Sequence, residues 1–117
     1  MSGISIEDWQ LLSFFEVEPT LLDKDVPWLY NDSTYLFEQG EISLSFSIQP
    51  SYRDVGIILS QRNLVISEYN LFGVEDVIYE KNKKSEILIV KVSENSQIIL
   101  RLRPSILITQ RFENYSC

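Results

Sequence analysis

The spacing of apolar positions changes period once along the chain. Up to residue 15 it is helical. Ile6, Trp9, Leu12 and Phe15 fall on one stripe, which Leu11 and Phe14 broaden, and this predicts a helix over about Ile6–Phe15. Ser5 followed by Glu7 and Asp8 predicts where it starts, with the Ser5 hydroxyl accepting from the Asp8 amide and the acids at the positive end of the helix dipole. Pro19 biases Glu18 away from helical dihedrals, so the helix ends before it. From Thr34 onward the period is two. Ile42, Leu44, Phe46 and Ile48 alternate with Ser43, Ser45 and Ser47, the pattern of a strand with one buried and one solvated face. A tight hairpin at Gly40 joins it to the Tyr35–Phe37 run. Further strands are predicted over 55–60, 64–69, 74–80, 86–92 and 97–103, with an edge segment at 106–110. Ile87–Val90 is apolar on both faces and predicts a central strand covered by the helix.

This reading gives an α+β fold: one N-terminal helix packed on a twisted antiparallel meander sheet of five to seven strands, with 1–117 as a single domain. The main rival is a small closed β-barrel capped by the helix. Both leave an irregular connector over residues 16–33, interrupted by Pro19 and Pro27.

That connector is compositionally unusual. EVEPTLLDKDVPWLYND, residues 16–32, holds five carboxylates, one lysine, a tryptophan and a tyrosine. Its acidity belongs to a wider asymmetry. The chain has a formal charge of −7, and residues 1–41 hold nine acids against Lys24 alone, a net of −8. Such a balance repels nucleic-acid phosphates and anionic membrane surfaces and favours a cationic partner. The one cysteine, Cys117, has no partner for an intramolecular disulfide, and the opening MSGISIEDWQ lacks a basic region followed by an apolar stretch. Both point to a cytoplasmic protein.

Catalytic and ligand chemistry finds little support. The chain contains no histidine, which removes the commonest general base and the commonest transition-metal ligand. Asp23-Lys24-Asp25 fails the calcium-loop template, because Pro27 falls where the third ligand belongs, and reads as a solvated turn. None of the four glycines lie close enough together for a phosphate loop. No enzyme activity and no cofactor or metal is expected. Lys91, Arg101 and Arg103 read as charges balancing a solvated sheet face, and Lys81, Lys83 and Lys84 as protection of a hairpin loop.

What remains is binding. Trp and Tyr supply contact area at low entropic cost, and neighbouring carboxylates steer and pair with a basic surface. The residues expected to contact a partner are Asp25, Trp28, Tyr30, Asp32, Glu38 and Glu41. A small, acidic, histidine-free α+β domain resembles in type the bacterial immunity proteins and phage-encoded inhibitors, which neutralise a basic enzyme by covering it; this likeness of profile carries no residue across. The expected function is a non-catalytic protein-binding module, an acidic stoichiometric inhibitor or immunity-type protein for a basic toxin or nuclease. The alternative is a structural subunit or homo-oligomer assembling through a sheet edge, at Ile106–Ile108 or Ile42–Ile48. The oligomeric state is left open by the sequence.

Overall fold

The computed structural model describes residues 4–113. Helix α1 (Asp8–Phe15) is followed by the two-residue strand β1 (Thr20–Leu21), a 3₁₀ turn at Trp28–Tyr30, and then strands β2 (Ser33–Gln39), β3 (Ile42–Gln49), β4 (Asp54–Gln61), β5 (Leu64–Leu71), β6 (Asp76–Lys81), β7 (Glu86–Ser93), β8 (Ser96–Arg101) and β9 (Leu107–Phe112). The fold class and the N-terminal helix are those expected. The meander, however, divides into two open antiparallel sheets, β1–β5 and β6–β9, so the described strands close no barrel.

The helix begins two residues later than its spacing suggests. Glu7 is the N-cap in a reciprocal capping box with Gln10, whose side-chain oxygen accepts the Glu7 amide at 2.9 Å. Ser5 is diverted to the second sheet: its amide and its hydroxyl both donate to the Asp76 carboxylate at 2.8 Å. The buried face is also rotated relative to the expected stripe. Leu11, Phe14 and Phe15 are fully buried, whereas Trp9 is 56% and Leu12 39% exposed. Glu16 then stops the helix in the left-handed region, its amide donating to the Leu12 carbonyl at 2.8 Å.

Adjacent phenylalanines explain that rotation. Successive helical side chains diverge by about 100°, so Phe14 and Phe15 reach different sheets. Phe15 stacks on Tyr35 of β2 and leans on Phe46 of β3, with ring centroids 5.2 and 5.4 Å apart, while Phe14 meets Tyr79 of β6 edge-on at 6.1 Å. The helix thus touches both sheets, and the buried residues of both form one continuous cluster with it. Arg103 ties the helix's C-terminal end to the strands. Its guanidinium donates to the Phe14 carbonyl at 3.0 Å and to Glu86 at 3.4 Å, pairs with Glu16 at 3.3 Å, and lies 5.2 Å from the Phe37 ring centroid. Arg103 therefore shares no solvated stripe with Arg101, which instead braces the turn at Ser105 through bonds of 3.1 and 3.0 Å.

Along the strands the period-two reading holds. Leu44, Phe46 and Ile48 are buried on β3, and Ile98 and Leu100 on β8, with Leu102 just beyond it. Strand β3 pairs with β2 on one side and β4 on the other, so Ile42–Ile48 offers no free edge for assembly. Strand β9, which carries Ile108, remains at the edge of its sheet.

Candidate partner-binding face

The connector owes its shape to one buried side chain. Asn31 is 3% exposed, and its amide nitrogen donates to the carbonyls of Asp23 at 2.6 Å and Val26 at 2.8 Å. Its oxygen accepts from the amides of Asp32 at 2.9 Å and Asp23 at 3.3 Å. One side chain thereby satisfies four backbone groups between Asp23 and Asp32, which is how an irregular segment escapes the cost of orphaned polar atoms. Asp23 closes the turn by accepting the Asp25 amide at 3.0 Å, a solvated turn of the kind its sequence suggested. Pairing of β1 with β2 and a bond from the Ser51 amide to the Leu29 carbonyl at 3.0 Å pin the segment at both flanks.

Held in this way, the connector faces α1 across a cleft of about 390 Å³ lined by Asp8, Trp9, Leu12, Glu18, Pro19, Leu21, Trp28 and Tyr35. Trp28 is half-buried and packs against the core; its indole nitrogen is enclosed and has no hydrogen-bond partner among the described residues. Tyr35, 1% exposed, closes the cleft from the sheet side. Its hydroxyl pKa is raised to about 12, by burial above all and by the Asp8 and Glu18 carboxylates to a lesser degree, net of a lowering by the neighbouring Trp28. Both acids are thus felt at the wall of the cleft. Among the described residues neither forms an ion pair.

The six residues singled out in the sequence fall into three places. Trp28 lines the cleft. Asp25 and Tyr30 are exposed on the connector, Tyr30 by 67%, and Asp32 lies at the start of β2, where the Gln49 side chain donates to it at 3.2 Å. Glu38 and Glu41 sit at the other end of that strand. Six residues of extended chain separate Asp32 from Glu38, about 20 Å, and Glu41 is already paired with Arg62 at 2.9 Å. The connector and the β2–β3 hairpin are therefore separate acidic regions. Sequence reasoning missed Asp8, Trp9, Leu12 and Glu18, because the apolar stripe assigned Trp9 and Leu12 to the core. The signal that could have found them was the excess of apolar residues over what one helix face can bury.

Among the described residues there is no group of three or more His, Cys, Asp or Glu placed to hold a metal ion, and no helix long and apolar enough to cross a membrane.

No protein-family model and no curated protein matches the sequence. A solved structure does match: one chain of the contact-dependent growth inhibition toxin–immunity protein complex from Klebsiella pneumoniae 342, with a TM-score of 0.77, 20% identity, and coverage of 90% of this chain and 92% of that one. At this identity the likeness is one of fold.

Proposed function

We propose that this protein is a non-catalytic, immunity-type binding module, which neutralises a basic toxin-type protein in the cytoplasm by covering it with the face formed by α1 and the connector. The observation that carries the reading is the fold, shared over nine-tenths of the chain with a member of a toxin–immunity complex. Charge favours the immunity side of such a pair. A chain of formal charge −7 that contains no histidine suits the protein that covers a cationic enzyme better than the enzyme itself. The connector supplies exposed acids and an aromatic side chain on a braced backbone, so little conformational freedom is lost on association.

The test is co-expression with the product of the neighbouring gene. Rescue of growth, a 1:1 complex of the purified pair, and an affinity that falls with salt are expected, with Asp25→Lys plus Asp32→Lys weakening binding at least about tenfold, or 1.4 kcal/mol. Failure of every basic candidate to bind would overturn the reading. Unchanged affinity and salt dependence in the double variant would remove the connector as its surface.

A further inference from the structure

We propose that the cleft between α1 and the connector is a socket for a single arginine side chain of the partner; this deepens the immunity-type reading and rests on it for the identity of the partner. Three features point to a guanidinium. The first is the lining. Both tryptophans of the chain, Trp9 and Trp28, lie here with Tyr35, Leu12 and Leu21, and indole faces attract cations, most strongly when water is excluded. The second is charge. Asp8 and Glu18 are the charged residues of the lining, they add to the burial that raises the Tyr35 pKa, and neither has a cationic partner among the described residues. The third is exposure. Trp9 is 56% and Leu12 39% exposed, apolar surface that a helix of a free-standing domain ordinarily buries and that a long apolar stem would cover.

Arginine fits these features better than lysine. A planar guanidinium stacks on an indole while its edge reaches carboxylates, whereas a lysine ammonium is a compact, strongly hydrated charge that loses more on entering an apolar slot. Asp8 sits in the first turn of α1 and Glu18 lies beyond its C-terminal end, so the two acids line the slot from different segments. Trp9, Asp8 and Leu12 are fixed by the helix, and Trp28 by the Asn31-braced connector. The backbone that frames the slot is therefore in place before the partner arrives.

Because both indoles belong to the site, their amide-type signals in a proton–nitrogen correlation spectrum report on it directly. N-acetyl-arginine methylamide, titrated into the full-length protein, is expected to shift both indole signals, with the citrulline analogue inert and the lysine analogue weaker. Asp8→Asn plus Glu18→Gln should weaken the arginine response roughly fivefold or more. Glu18→Gln alone, at an exposed residue outside helix and strand, serves if the double variant does not fold, and should weaken it about twofold. Equal shifts from citrulline, or an unchanged response in the folded variants, would overturn the socket. Growth rescue with no arginine response would sink the socket and leave the immunity reading standing, whereas an arginine response with no toxin-type partner would do the reverse.

Discussion

At the scale of single residues, Asn31 and Tyr35 matter most to the candidate face, and neither announces itself in the sequence. Asn31 reads as a generic turn former. Only the fold shows that it satisfies carbonyls at 23 and 26 and amides at 23 and 32. Asn31→Ala leaves those groups without their partner, and the cost expected is about 1–3 kcal/mol, seen as a lower denaturant midpoint with protease cleavage appearing between residues 22 and 33. Asn31→Asp should recover less than half of the loss, since a carboxylate accepts from the two amides but cannot donate to the two carbonyls. Tyr35 predicts a pH dependence. Its pKa lies at about 12 in the folded chain, against 10.0 unperturbed, so the native state holds the proton more tightly than the unfolded state does. The associated stability is complete below pH 10 and is lost as pH rises towards 12, an effect on the order of 2–3 kcal/mol. Tyr79 acts in the same direction, raised to about 12 by burial and by its bond to Glu86. Thermal melts between pH 9 and 11.5 should show this decline, with a shallower slope in Tyr35→Phe.

At the scale of elements, the strands were legible and the helix phase was not. A period-two alternation such as Ile42 to Ile48 leaves one choice of buried face, because slipping by one residue would put three serines into the core. The α1 segment offers apolar residues at 9, 11, 12, 14 and 15, more than one stripe can hold, so the choice of face depended on the position of the two sheets. The turns follow local chemistry. Gly40 has φ of 61° and Gly73 of 66°, and a Cβ at either position would meet nothing within 4 Å. The cost of Gly40→Ala is thus conformational rather than steric, about 1 kcal/mol, and Gly40→Asn should retain most of the stability because asparagine tolerates the left-handed region. Chemical denaturation would check this, with the midpoint shifting and the m-value constant.

At the scale of the whole molecule, the concentration of acid in the first third was plain from the letters, but the division of the meander into two sheets was not. Hairpin signals pair each strand with its neighbour and are silent on which junction breaks. Here the junction is the segment between β5 and β6, whose Val74 amide donates to the carbonyl of Arg53 in the β3–β4 turn of the first sheet at 2.9 Å, while the Glu75 amide donates to the carbonyl of Lys91 on β7 of the second at 2.8 Å. Under the proposed immunity-type reading, the same architecture would separate two kinds of contribution to binding. Asp25 and Tyr30 are exposed on the rim, where charges act through long-range attraction, set the association rate and are screened by salt. Trp9 and Leu12 line a slot that a partner would close, where contacts govern how long the complex lasts. Surface plasmon resonance with the toxin-type partner should therefore show Asp25→Lys plus Asp32→Lys slowing association and flattening its salt dependence, with the dissociation rate nearly unchanged. Trp9→Ala should leave association within about twofold and speed dissociation some tenfold or more, with stability altered by under about 1 kcal/mol because Trp9 lies outside the core. If both variants instead acted on the same rate constant, rim and slot would be one energetic unit, and the division of roles between connector and helix would be wrong.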